Sequence, residues 1–173
     1  MRDYLYIWHD PSERLLFASG IEFKDISPTL SCSGGIVLLK HECDDPEFDP
    51  NSGFDYLSGE KLSALPEEDL YSWGDFRFID FKQDHFPAIT KQEVSELLYF
   101  EHTSTPFGAP ILPSLENRFM VSIHDDGWLF KAYYSDWQNA FDLLSALPLL
   151  KARPEVIECL HRGSDAFWVT ELV

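Results

Sequence analysis

Residues 118–134 hold two strand-like runs around Asp126-Gly127. Asp-Gly between such runs favours a two-residue type I′ hairpin, because both turn positions need φ > 0. With those two residues as the loop, Ile123 faces Phe130, Val121 faces Ala132 and Phe119 faces Tyr134. The alternate register pairs Ser122 with Lys131. One face is then apolar and the other mixed. A one-residue slip would invert both faces, so the sequence itself fixes the register.

The remaining elements are organised around this hairpin. Residues 2–8 and 14–18 read as two strands joined by the turn His9-Asp10-Pro11-Ser12-Glu13. Residues 25–34, punctuated by Ser, Pro and Gly, read as a loop. Gly35-Ile-Val-Leu-Leu-Lys40 is an apolar run of strand length that suits burial on both faces. Residues 42–56 read as a long polar loop, and 58–72 as one or two short helices with Pro66 at a first helical position. Residues 75–82 are a strand whose apolar phase switches at Phe78–Ile79, a sign of a bulge or of burial on both faces.

Thr90-Lys-Gln-Glu93 is a capping box that opens a helix through Val94, Leu97 and Leu98. Ser135-Asp-Trp-Gln138 reads as a second box, opening a helix that Pro148 ends. Pro154 opens another, with Val156, Ile157 and Leu160 inward and Gly163 at C′. Residues 166–172 close with a strand. Trp8, Trp128, Trp137 and Trp168 fall on strands or helix stripes and are expected in the core, whereas Trp73, beside Gly74, is expected half exposed.

Regular βαβ alternation is absent, which argues against a doubly wound sheet. The expected fold class is α+β: a single domain over 1–173, a mainly antiparallel sheet with two or three packed helices, and an acidic, loop-rich segment at 41–75. A length of 173 residues suits one domain.

Charge separates the function classes. Thirteen basic residues against 30 acidic ones give a net −17. Such a surface repels nucleic acid and anionic lipid and attracts a basic partner. The charge is uneven: residues 1–40 carry net −1, residues 41–84 net −10 and residues 85–173 net −6. Cys32, Cys43 and Cys159 make no disulfide framework, and no stretch reads as a secretory leader or a membrane span. A reducing cytoplasm is the expected compartment.

Motifs for catalysis or metal binding are weak. Asp49-Pro-Asn-Ser-Gly-Phe-Asp55, with Glu60, imitates a calcium loop, but Phe54 stands where the turn glycine belongs. His41-Glu-Cys-Asp44 has no second half to complete a zinc site. Ser31-Cys-Ser-Gly-Gly35 lacks the strand–turn–helix elbow of a nucleophile, and acidic surroundings raise a thiol pKa. Neither a metal, a cofactor nor a catalytic residue is expected, and the chain is read as a non-enzyme.

In size, charge and the acidic-aromatic segment 42–56, the chain resembles the bacterial immunity proteins that neutralise toxins of polymorphic or contact-dependent systems. The resemblance is at class level and aligns no motif residue by residue. It implies a small acidic cytosolic protein that masks a basic toxin or enzyme surface, many such toxins being nucleases. The candidate docking residues are Asp44, Asp45, Glu47, Phe48, Asp49, Phe54, Asp55 and Tyr56, in which the acids steer and the aromatics anchor. An enzyme with a cryptic site and a structural or regulatory subunit are the alternatives.

Overall fold

The computed structural model describes residues 4–30, 35–39, 54–58, 76–82, 90–98, 110–124, 128–151, 153–163 and 166–170. Eight strands form one sheet: β1 Tyr4–Asp10, β2 Leu15–Ser19, β3 Gly35–Leu39, β4 Phe54–Ser58, β5 Phe76–Phe81, β6 Phe119–His124, β7 Leu129–Tyr134 and β8 Phe167–Thr170. Their order is β4-β3-β5-β6-β7-β2-β1-β8. Every neighbouring pair is antiparallel, so α+β with an antiparallel sheet is the fold class. Five helical segments are described: α1 Phe23–Leu30, α2 Lys91–Leu98, α3 Trp137–Ala146, the single turn α4 Pro148–Lys151 and α5 Pro154–His161. Expectation had two or three; α1 and α4 are the additions. No described helix is long and apolar enough to cross a membrane.

The β6–β7 register pairs Ile123 with Phe130, Val121 with Ala132, Phe119 with Tyr134 and Ser122 with Lys131, as the side-chain pattern dictates. The turn residues Asp126 and Gly127 lie outside the described residues. At the β1–β2 turn, Asp10 Oδ1 accepts from the Ser12 N–H at 2.9 Å, the Ser12 hydroxyl at 2.6 Å and the Glu13 N–H at 3.2 Å. The local side chain closes the turn that the backbone could not close alone.

The helices cover the two faces unequally. On the inner face, α1, α3, α4 and α5 bury the main core, in which Leu5, Ile7, Ile36, Phe78, Phe119 and Leu144 are almost fully shielded. On the outer face, a smaller core gathers Val37, Ile79, Phe81 and Met120 under Val94, Leu97 and Leu98 of α2. Strands β3 and β5 therefore bury both faces, which explains the unbroken apolar run of β3 and the phase switch at Phe78–Ile79 of β5. Strands β1, β2 and β7 alternate because their inner face carries the main core, while among the described residues their outer face meets the smaller core only at Tyr133.

Local chemistry sets the helix ends. The Thr90 box forms as read: the Glu93 N–H donates to Thr90 Oγ1 at 3.2 Å and the Thr90 N–H to Glu93 Oε2 at 2.8 Å. The second box does not. Asp136, not Ser135, is the N-cap of α3 and accepts from the Asn139 N–H at 3.0 Å, because its carboxylate lies one residue nearer the first turn. Gly163 follows α5 at φ +71°, and its N–H closes on Leu160 O at 2.9 Å. The loop expected over 25–34 is overturned by α1 as far as Leu30, and residues 31–34 lie outside the described residues. Pro28 has no N–H for the Lys24 carbonyl, and the Ser27 hydroxyl donates to that carbonyl instead at 3.3 Å. Asp25 Oδ2 accepts from the Glu22 N–H at 3.0 Å and caps the other end.

Candidate functional site

Asp44, Asp45, Glu47, Phe48 and Asp49 lie outside the described residues, as do Trp73 and, of the helices expected at 58–72, all but Ser58, which ends β4. Phe54, Asp55 and Tyr56 do not sit in a loop. They belong to β4, an edge strand, and pair with Leu39, Leu38 and Val37. The apolar run of β3 recruits them into the sheet, where their backbone groups find partners.

The other edge carries a different surface. On β1, the half-buried Tyr4 and Tyr6 and the exposed Trp8 alternate with the buried Leu5, Ile7 and His9. Cross-strand pairing sets Tyr6 opposite Trp168 of β8, and Trp8 opposite Phe17 of β2. No described helix packs on this half of the outer face. Trp168 is 70% exposed, Trp128 57% and Trp8 37%. The expected burial of these three tryptophans is thereby corrected: Trp8 and Trp168 by their register, and Trp128 just ahead of β7, lie on the half of the sheet that α2 does not reach. Trp137, by contrast, packs partly buried against the main core. Trp168 meets the Tyr6 ring at a centroid distance of 4.9 Å, and Trp128 meets Tyr4 at 6.2 Å. A signal for this face did exist in the sequence: from Tyr4 to Trp8 every second residue of β1 is an aromatic with a polar atom or indole, and the residues between are aliphatic.

Two buried polar groups were not singled out from sequence. His9 is 2% exposed. Its Nδ1–H donates to Leu160 O at 2.7 Å, and Nε2 accepts from the Tyr134 hydroxyl at 2.6 Å. This fixes the neutral tautomer and ties β1 to α5. Burial holds the His9 pKa below its ordinary value, against the Leu160 hydrogen bond, which raises it. The second group is Ser122 with His124, where Oγ and Nε2 are 2.8 Å apart. That spacing suits a nucleophile and its base. The Arg77 guanidinium intervenes, with Nε donating to Ser122 Oγ at 3.2 Å and Nη2 to His124 Nε2 at 3.0 Å. Arg77 is 1% and Ser122 2% exposed, on β5 and β6 within the sheet. A substrate cannot reach Ser122 Oγ there, so this cluster joins two strands rather than presenting a site.

Among the described residues, no three His, Cys, Asp or Glu side chains converge as metal ligands. The exposed aromatic face is thus the described feature best suited to recognition. No protein-family model, no curated protein and no solved structure matches the chain.

Proposed function

We propose that the protein is an acidic protein-binding module of the immunity or inhibitor kind, which masks a basic surface such as that of a toxin domain. The observation that carries this reading is the gathering of Trp8, Trp128 and Trp168 on a sheet face that no described helix covers. Trp and Tyr are the residues that most often anchor protein interfaces, since they bury large area at low entropic cost. The net charge of −17 supports a basic partner. In this reading the acids of 41–56, including Asp44, Asp45, Glu47, Asp49 and Asp55, steer the encounter. Phe48, Phe54 and Tyr56 add apolar contact, and the aromatic face supplies the desolvated anchor. The module acts in the cytoplasm, where Cys159 stays a thiol, with neither nucleic acid nor membrane as partner.

The test recovers a partner by pull-down from the native host and measures association and dissociation separately. Salt at about 0.5 M should slow association far more than dissociation, since screening acts on steering. Changing the five acids to Asn or Gln should weaken binding with no loss of stability. A partner that binds the neutralised variant and Trp168→Ala as fast and as tightly as the parent refutes the reading.

A further inference from the structure

Four rings run in series across the β1–β8 end of the outer face. Trp128 lies 6.2 Å from Tyr4, Tyr4 lies 6.1 Å from Trp168, and Trp168 lies 4.9 Å from Tyr6. Successive planes turn by 50°, 39° and 54°. Phe17 then meets Tyr6 edge-on at 82°. The sheet holds the arc in place, because Tyr6 and Trp168 are direct cross-strand partners.

The tilts discriminate between occupants. A sugar or a flat base stacks best on rings that share a plane, and these rings share none. Tilted rings offer faces in several directions, so that one cation can meet more than one of them, each face attracting it through the ring quadrupole. The charge points the same way. A chain at net −17 draws cations and repels a second copy of itself. The charged residues at described positions on this half of the face are Asp10 and Lys131. Lys131 pairs with Phe17 on its far side, which leaves the β1–β8 end as the place for an incoming positive group.

We propose that the arc of Tyr4, Tyr6, Trp128 and Trp168 takes an arginine side chain of the basic partner, its guanidinium lying over the Trp168 and Tyr6 rings. The proposal rests on the binding-module reading. Arginine is favoured over lysine because its planar, weakly hydrated head stacks on aromatic faces.

The test titrates hexa-arginine amide into the full chain and follows indole fluorescence, with hexa-lysine and maltohexaose as comparison ligands. Saturable binding of hexa-arginine is expected. Trp168→Ala should weaken it about tenfold while circular dichroism shows the same fold. Hexa-lysine should bind several-fold more weakly, and the Trp168 dependence should persist at about 0.5 M salt, where non-specific charge attraction is screened. Three results each overturn the inference: an unchanged affinity in Trp168→Ala, preferential binding of maltohexaose, or a Trp168-dependent dimer in sedimentation with no peptide binding. If the peptide ignores Trp168 while partner capture still needs it, this inference fails and the module reading stands. If partner capture is indifferent to Trp168 and to the five acids, the module reading fails.

Discussion

Arg118 holds Asp80 from two directions: its guanidinium Nε donates to Oδ2 at 2.9 Å, and its backbone N–H donates to Oδ1 at 2.8 Å. The Phe119 N–H adds a third bond at 2.7 Å, and Arg118 Nη2 reaches the Thr29 carbonyl of α1 at 3.1 Å. One ion pair thus joins β5, β6 and the first helix. Asp80 is 2% exposed, and burial pushes its pKa up while the Arg118 guanidinium and the hydrogen bonds pull against that.

Asp80→Asn leaves that guanidinium without its carboxylate. The expected cost is about 3–5 kcal/mol, the usual range for removing one partner of a buried pair. Urea unfolding should show a lower midpoint at unchanged slope. A midpoint within error of the parent would show that the pair is dispensable.

His9 gives a pH signature. Its folded-state pKa lies below the unfolded value of about 6.5, since burial disfavours the charged ring. As pH falls below about 6.5, the unfolded chain takes up the proton first, so stability declines with acidification and is flat above about pH 7.5. His9→Gln should remove this slope between about pH 6.5 and 5.5. Unfolding curves collected across that window decide it, and an equal slope in both proteins counts against the buried neutral His9.

The caps are separable by single substitutions. Asp136→Ala should cost about 1 kcal/mol, and Thr90→Ala a similar amount. Gln138→Ala should stay within about 0.5 kcal/mol, because Gln138 bonds only along the exposed helix to Asp142. Equal effects at Asp136 and Gln138 would contradict the cap assignment.

Gly20 stands at φ +98°, and a Cβ there would run into the Tyr4 carbonyl oxygen. Gly20→Ala should destabilise by about 1–3 kcal/mol, from both the strained backbone and the clash. Thermal melts of the variant check this. The displaced strand carries Tyr4, so hexa-arginine binding should weaken in parallel.

The tryptophans should divide by position. Trp168→Ala should change stability by less than about 1 kcal/mol, as an exposed side chain does. Trp137→Ala should cost about 2–3 kcal/mol, because its ring stacks on His161 at 4.3 Å and lies 5.1 Å from His9. The reverse order in urea midpoints would contradict the burial described here.

Much of this fold was legible because short-range chemistry decides it. The β6–β7 register follows from alternation about a turn, and the Thr90 box and the Pro154–Gly163 helix follow from residues within a few positions. The run 35–39 declared two-sided burial by having no polar phase, and 76–81 by switching its apolar phase at Phe78–Ile79. The misreadings have physical causes as well. In α1, Ser27 and Pro28 look like loop residues until the hydroxyl is seen to serve the carbonyl that the proline cannot. The exposure of Trp168 depends on which strand pairs with β1 and on how far α2 reaches across the sheet. Neither property is written in any local window, since β1–β8 pairing joins the two ends of the described chain.

The arc draws Tyr4 and Tyr6 from the first strand and Trp168 from the last. Synthesis proceeds from the N-terminus at about 5–20 residues per second. Tyr6 is therefore synthesised roughly 10–30 s before its ring partner exists. Through that interval β1 lies at an open edge of the growing sheet, and a nascent chain offers half a surface. Any partner that reads the whole arc distinguishes chains in which β8 has been made from those in which it has not. In the folded protein the described seam is four residues long on the β8 side, so fraying of that strand would dismantle the arc while the hairpin at the centre stays intact.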